Sequence, residues 1–144
     1  MKSLPKILTE AEVTRLMEAA RSRARNPAER LRDTALFELL YATGLRVSEL
    51  VGLPAVAVRG DPRMILVKGK GGKERMVPLS TPARTALADW LAHRDAVEEA
   101  GRKAGRAPSR HLFPGEGREG HLTRQYFHSL VKDVAVLAGI SPAL

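Results

Sequence analysis

Apolar positions recur at two different spacings along this chain, and the switch between them organises the rest. Val13, Leu16, Met17 and Ala20 fall on one face of a helix. Thr9 with Glu12 three residues later is the pairing of a capping box, and Leu8 and Val13 flank it as a hydrophobic staple. The polar stretch from Arg21 to Asn26, ending at Pro27, predicts an exit and connection. Leu31, Ala35, Leu36, Leu39 and Leu40 form the stripe of a second helix starting near Pro27 and stopping at Gly44. A short third helix is predicted over residues 46–53, with Val47, Leu50 and Val51 turned inward and Pro54 ending it.

From about Val56 the helical period is lost. Met64 to Val67 and Arg75 to Leu79 are two β-prone runs around a Gly- and Lys-rich connection, which predicts a hairpin with a bulged or flexible tip. Thr81-Pro82 reads as a cap followed by proline at the first helical position, and the helix it opens carries Ala86, Leu87, Trp90, Leu91 and Val97 inward before fraying at Gly101. Residues 102–110 are basic and broken by glycine and proline, hence a loop, with Leu112-Phe113-Pro114 anchoring its far end. A last helix is predicted from Thr123, Leu122 stapling to Phe127, with Phe127, Leu130, Val131, Val134 and Leu137 on one face and Gly139 as its stop. The expected fold is mainly α with one inserted β-hairpin, in a single domain.

Composition narrows the function. Hydrophobic residues at 44% and charged residues at 28% exclude a disordered chain. Lys and Arg number 24 against 16 Asp and Glu, a formal net charge of +8, which favours an anionic partner such as a nucleic acid, although a merely soluble basic surface fits as well. With no cysteine, disulfides and thiolate metal sites are excluded. The start of the chain lacks a signal peptide, and no apolar run is long enough for a membrane span, so a cytoplasmic location is expected. His93, His111, His121 and His128 lack metal-ligand spacing and read as surface or loop histidines; neither a metal nor a cofactor is expected.

Two segments carry candidate chemistry. Arg46 follows the Gly44 corner and opens a helix, where a guanidinium can meet a phosphate bidentately, and Glu49 on the same face can hold its side chain. Taken alone, the pair reads first as a surface ion pair worth a few tenths of a kcal/mol. The hairpin tip, Lys68-Gly69-Lys70-Gly71-Gly72-Lys73-Glu74-Arg75, puts cations on an arm whose glycines allow close approach to a ligand. It lacks the Gly-Lys-Ser/Thr of a nucleotide-binding loop, and taken alone it reads first as a solvated charged turn.

Together the segments change weight. Ala42-Thr43-Gly44-Leu45-Arg46-Val47-Ser48-Glu49-Leu50, followed by Val67 through Leu79, resembles the tyrosine site-specific recombinases, or phage integrases, and their Xer branch most closely. Leu112-Phe113-Pro114, Leu122-Thr123-Arg124-Gln125 and Ala135 through Pro142 match in the same order, so the resemblance runs from Leu4 to Pro142. It implies the DNA breaking–rejoining catalytic-domain fold, and a chemistry in which a tyrosine attacks a DNA phosphodiester to leave a 3′-phosphotyrosine and a free 5′-hydroxyl. Arg46 matches the first of two arginines that hold the scissile phosphate. Lys70 matches the lysine that protonates the leaving oxygen, with Lys73 and then Lys68 as rivals, and Glu49 matches the supporting acid. Lys68, Lys73 and Arg75 on the hairpin, and Thr123, Arg124 and Gln125 at the last helix, are the expected DNA contacts; Arg suits guanine and Gln adenine, while Thr123 also suits a simple cap.

The chain departs from the family pattern in one respect. After Ser-Pro the family continues with His-x-x-Arg, a later His or Trp, and the nucleophilic Tyr. Here Ala143 stands at the expected histidine, and nothing matches the second arginine or the nucleophile. Tyr41 and Tyr126 fall inside helices and read as structural or DNA-facing. The N-terminal DNA-clamping domain has no counterpart either. The expectation is therefore a partial catalytic domain over residues 1–144 that binds duplex DNA without cleaving it. The alternative is a non-catalytic DNA-binding or interaction module that pairs with a full-length recombinase or with itself.

Overall fold

The computed structural model describes residues 8–140. The ends of two quoted motifs, Ser141-Pro142 with Ala143 and the residues before Leu8, lie outside the described residues. Helix α1 spans Glu10–Arg23, α2 Pro27–Thr43 and α3 Val47–Val51; a 3₁₀ turn, Ala55–Val58, leads to strands β1, Met64–Lys68, and β2, Glu74–Pro78; α4 spans Thr81–Lys103 and α5 Arg124–Leu137.

The local rules account for most boundaries. The Thr9 hydroxyl accepts the Glu12 amide at 3.1 Å while the Glu12 carboxylate accepts the Thr9 amide at 2.8 Å, closing the capping box. Asn26 caps α2 ahead of Pro27, and Gly44 ends it in the left-handed conformation, φ 65°, with its amide on the Leu40 carbonyl. That corner turns the chain directly into α3.

Several expectations are corrected. Ser80, not Thr81, caps α4, because its hydroxyl accepts the Ala83 amide, and the helix runs past Gly101 to Lys103. Helix α3 is only five residues long, with Arg46 as its N-cap, so it has little more than one turn of aligned dipoles to offer an anion. Val97 and Leu137 share the periodicity of their helices but stand exposed among the described residues. The hairpin tip turns over Lys70–Gly72, closed by the Gly69 amide on the Lys73 carbonyl at 2.7 Å, with Gly71 and Gly72 both at positive φ and Gly71 outside helical geometry.

Helix α2 is the central element, packed against α1, α3 and α4, while α5 lies on α1 and α3. Phe37 and Phe127, both fully buried, meet at 5.8 Å between ring centroids and join α2 to α5. The hairpin seals the core with Ile65, Val67 and Val77, the alternate residues of its inner face. Residues 110–112 return alongside residues 53–55 through backbone bonds, and the buried Trp90 indole donates to the Leu112 carbonyl at 2.8 Å. Among the described residues no helix is long and apolar enough to cross a membrane.

Candidate active-site pocket between α3 and the hairpin

The α2–α3 corner and the hairpin tip converge on one open pocket of about 600 Å³, lined by Arg46, Glu49, Gly69, Lys70, Lys73, Glu74 and Arg75. Four cations face two carboxylates there, so the pocket is net positive. Arg46, Lys70 and Lys73 are exposed. Among the described residues the Arg46 guanidinium has no hydrogen-bond or ion-pair partner; its bonds are made by the backbone, the amide to Glu49 and the carbonyl from the Leu50 amide.

Glu49 works differently from the sequence expectation. It does not hold the Arg46 side chain. Its Oε1 accepts the Arg46 backbone N–H at 2.9 Å, and the two oxygens accept both terminal nitrogens of Arg75, at 2.9 and 3.1 Å. The Arg75 hydrogen bonds, helped by the Arg46 amide and the charges of both arginines, hold the Glu49 carboxyl below its ordinary range despite the opposing pull of burial. Strand register explains why Arg75 arrives there. Arg75 pairs with Val67 and stands two residues from Val77, both of which face the core, so its side chain leaves the inner face of the sheet. From that face the guanidinium, itself still half exposed, reaches the carboxylate at the start of α3. This signal is present in the alternation of β2, but the identity of the carboxylate is not.

The remaining predicted residues lie elsewhere. Lys68 is exposed at the tip end of β1. Thr123 is the α5 N-cap, its hydroxyl accepting the Tyr126 amide at 3.0 Å, while Arg124 and Gln125 are exposed on the first turn. Neither tyrosine lines the pocket. The Tyr41 hydroxyl is buried without a partner among the described residues, and burial pushes its pKa up to about 12. The Tyr126 hydroxyl accepts from Arg32 at 2.5 Å. Sequence reasoning missed the cluster this belongs to: Arg32 also pairs with Asp33, which is fully buried, and neighbouring Glu29 pairs with Arg23 and Arg25. Of the histidines, His111 and His121 meet edge to face at 4.9 Å between ring centroids, and burial, then the neighbouring charges, lower the His111 pKa.

Comparison with known proteins agrees with this architecture. The sequence pattern of the Phage integrase family matches residues 6–144. The tyrosine recombinase XerD of Bradyrhizobium diazoefficiens is 47% identical over 99% of this chain and 47% of its own length. XerD of Caulobacter vibrioides is 44% identical over 96% of the chain and 44% of its own. Among solved structures, the XerA recombinase superposes with a TM-score of 0.70 at 27% identity, covering 96% of this chain and 45% of its own. The XerH recombinase bound to its difH substrate before cleavage gives 0.73 at 25% identity, covering 97% and 39%. The chain thus spans about half the length, or less, of the relatives it matches. It belongs to the phage integrase family of tyrosine recombinases, in the Xer branch.

Proposed function

We propose that this chain provides the phosphate-holding and leaving-group side of a recombinase active site on duplex DNA. The observation that carries the reading is that Arg46 and Lys70, far apart in sequence and on separate elements, line one positive pocket. A guanidinium without an internal partner is free to hold the non-bridging oxygens of a backbone phosphate, where charge gathers in the transition state. An ammonium on the neighbouring tip is free to protonate the departing 5′-oxygen. Lys73 has the same access and is the rival proton donor. Glu49 does not touch substrate in this reading; it fixes the start of α3, and with it the place from which Arg46 reaches out.

Neither tyrosine is the nucleophile in this reading: the Tyr41 hydroxyl is buried away from the pocket and Tyr126 is engaged with Arg32. What this chain does by itself is bind duplex DNA, through the pocket and through Lys68, Arg124 and Gln125. XerH has been captured on its DNA substrate, which supports the same class of partner. Fluorescence anisotropy with a DNA duplex across a salt series tests this. Affinity should fall steeply with salt, and the double variant Arg46→Ala/Lys70→Ala should flatten the log–log slope by about 0.9, since both side chains address the same phosphate. A salt-independent signal, or a slope that the double variant leaves unaltered, overturns the reading.

A further inference from the structure

We propose that Arg75 is a positioning residue rather than a DNA contact: its ion pair with Glu49 latches the hairpin to α3 and so fixes Lys70 relative to Arg46. The proposal deepens the reading of the pocket given above. Glu49 Oε1 accepts both the Arg46 backbone amide, at 2.9 Å, and Arg75 Nη2, at 3.1 Å, so one oxygen joins the phosphate-holding corner to the hairpin. Oε2 takes Arg75 Nη1 at 2.9 Å and completes a two-point contact. Such a fork fixes orientation as well as distance, which a single point charge does not.

The tip rests directly on this joint. A Cβ added at Gly69 would stand 3.2 Å from Arg75 Nη1 and 3.2 Å from Glu49 Oε2, and its next neighbour is the Lys73 carbonyl at 3.6 Å. Gly69 therefore packs its bare backbone against the ion pair, and the Gly69 amide closes the turn on Lys73. Lys70, the next residue, starts that turn. The position of the ammonium is thereby tied to the carboxylate that caps α3. Both terminal nitrogens of Arg75 are turned to Glu49, which orients the guanidinium toward α3, whereas among the described residues Lys70 and Lys73 have no ion-pair partner.

Arginine and lysine substitutions separate the two roles. As a phosphate contact, Arg75 is replaceable by lysine, another cation. As a latch it is not, because lysine lacks the fork. Backbone ¹⁵N relaxation on the full chain should show tip amides from Lys70 to Lys73 near the rigid order parameter of about 0.85, dropping below about 0.6 in both Arg75→Lys and Arg75→Gln, with core amides such as Val77 unmoved. The DNA salt slope should match the parent in both. Should Arg75→Gln fold poorly, Arg75→Lys keeps the charge and removes only the fork, and the same loss of tip order is expected. Unchanged tip order in Arg75→Gln or in Arg75→Lys overturns the latch. So does a slope lowered by about 0.9 in Arg75→Gln and restored in Arg75→Lys, the mark of a phosphate contact. The relaxation measurements need no DNA, so they stand or fall separately from the proposed DNA binding.

Discussion

Two groups of charged side chains in this molecule have opposite fates. Between α1, α2 and α5, Arg23, Glu29, Arg32, Asp33, Tyr126 and Asp133 are spent on one another: Arg32 on Asp33 and the Tyr126 hydroxyl, Arg23 on Glu29 and Asp133. Between α3 and the hairpin, among the described residues, only Glu49 and Arg75 are paired, and Arg46, Lys70 and Lys73 face solvent. Density of charge does not separate a site from a strut. What separates them is whether the cations are already satisfied, since a buried charge must be paired to be tolerated and an unpaired one remains available to a ligand.

Stability measurements should expose this division most strongly. Asp33→Ala takes the carboxylate from the half-buried Arg32 guanidinium, which keeps only the Tyr126 hydroxyl, and should cost about 1–3 kcal/mol in urea unfolding. Arg46→Ala, at an exposed position, should stay within about 0.5 kcal/mol of the parent. Equal costs at the two positions would end the distinction. Tyr126→Phe removes the hydroxyl that accepts from Arg32 and should cost about 1–2 kcal/mol without altering the salt slope of DNA binding.

The smallest effects are in pH, and their signs differ. Burial, only partly offset by Arg32, raises the Asp33 pKa above its ordinary 3.8, so the folded state holds the proton more tightly than the unfolded one. Its contribution becomes unfavourable as pH climbs from 3.8 through the raised value, and Asp33→Asn should abolish that slope. Glu49 is shifted down from 4.5, chiefly by Arg75. Its contribution is complete above 4.5 and disappears as pH falls through the lowered value, and Glu49→Gln should abolish that loss. Stability curves of the two variants against the parent, between about pH 2 and 7, would sharpen or erase the contrast.

The sequence carried local information well and long-range information poorly. The capping box at Thr9, the Gly44 corner, the hairpin runs and the start of α5 at Thr123 are set by residues within four positions of one another, and each is where those residues place it. The meeting of Arg46 with the Lys70 tip was legible only through resemblance, because no local rule brings position 46 to position 70. The Arg32–Tyr126 bond spans 94 positions. Val97 and Leu137 show the converse limit: their helical phase is right, but phase does not say whether anything lies opposite. The side-chain partner of Glu49 is not its sequence neighbour Arg46 but Arg75, which arrives from another element and which no local spacing points to.

The single tryptophan offers an unlabelled view of one seam. Trp90 joins α4 to the returning segment through its indole N–H on Leu112 and its ring stacked 6.0 Å from that of Phe113. Peeling that segment from α4 would wet the indole and red-shift its fluorescence. Melting confined to the hairpin tip would leave the emission unchanged, so one spectrum tells fraying at the tip from opening of the scaffold behind it.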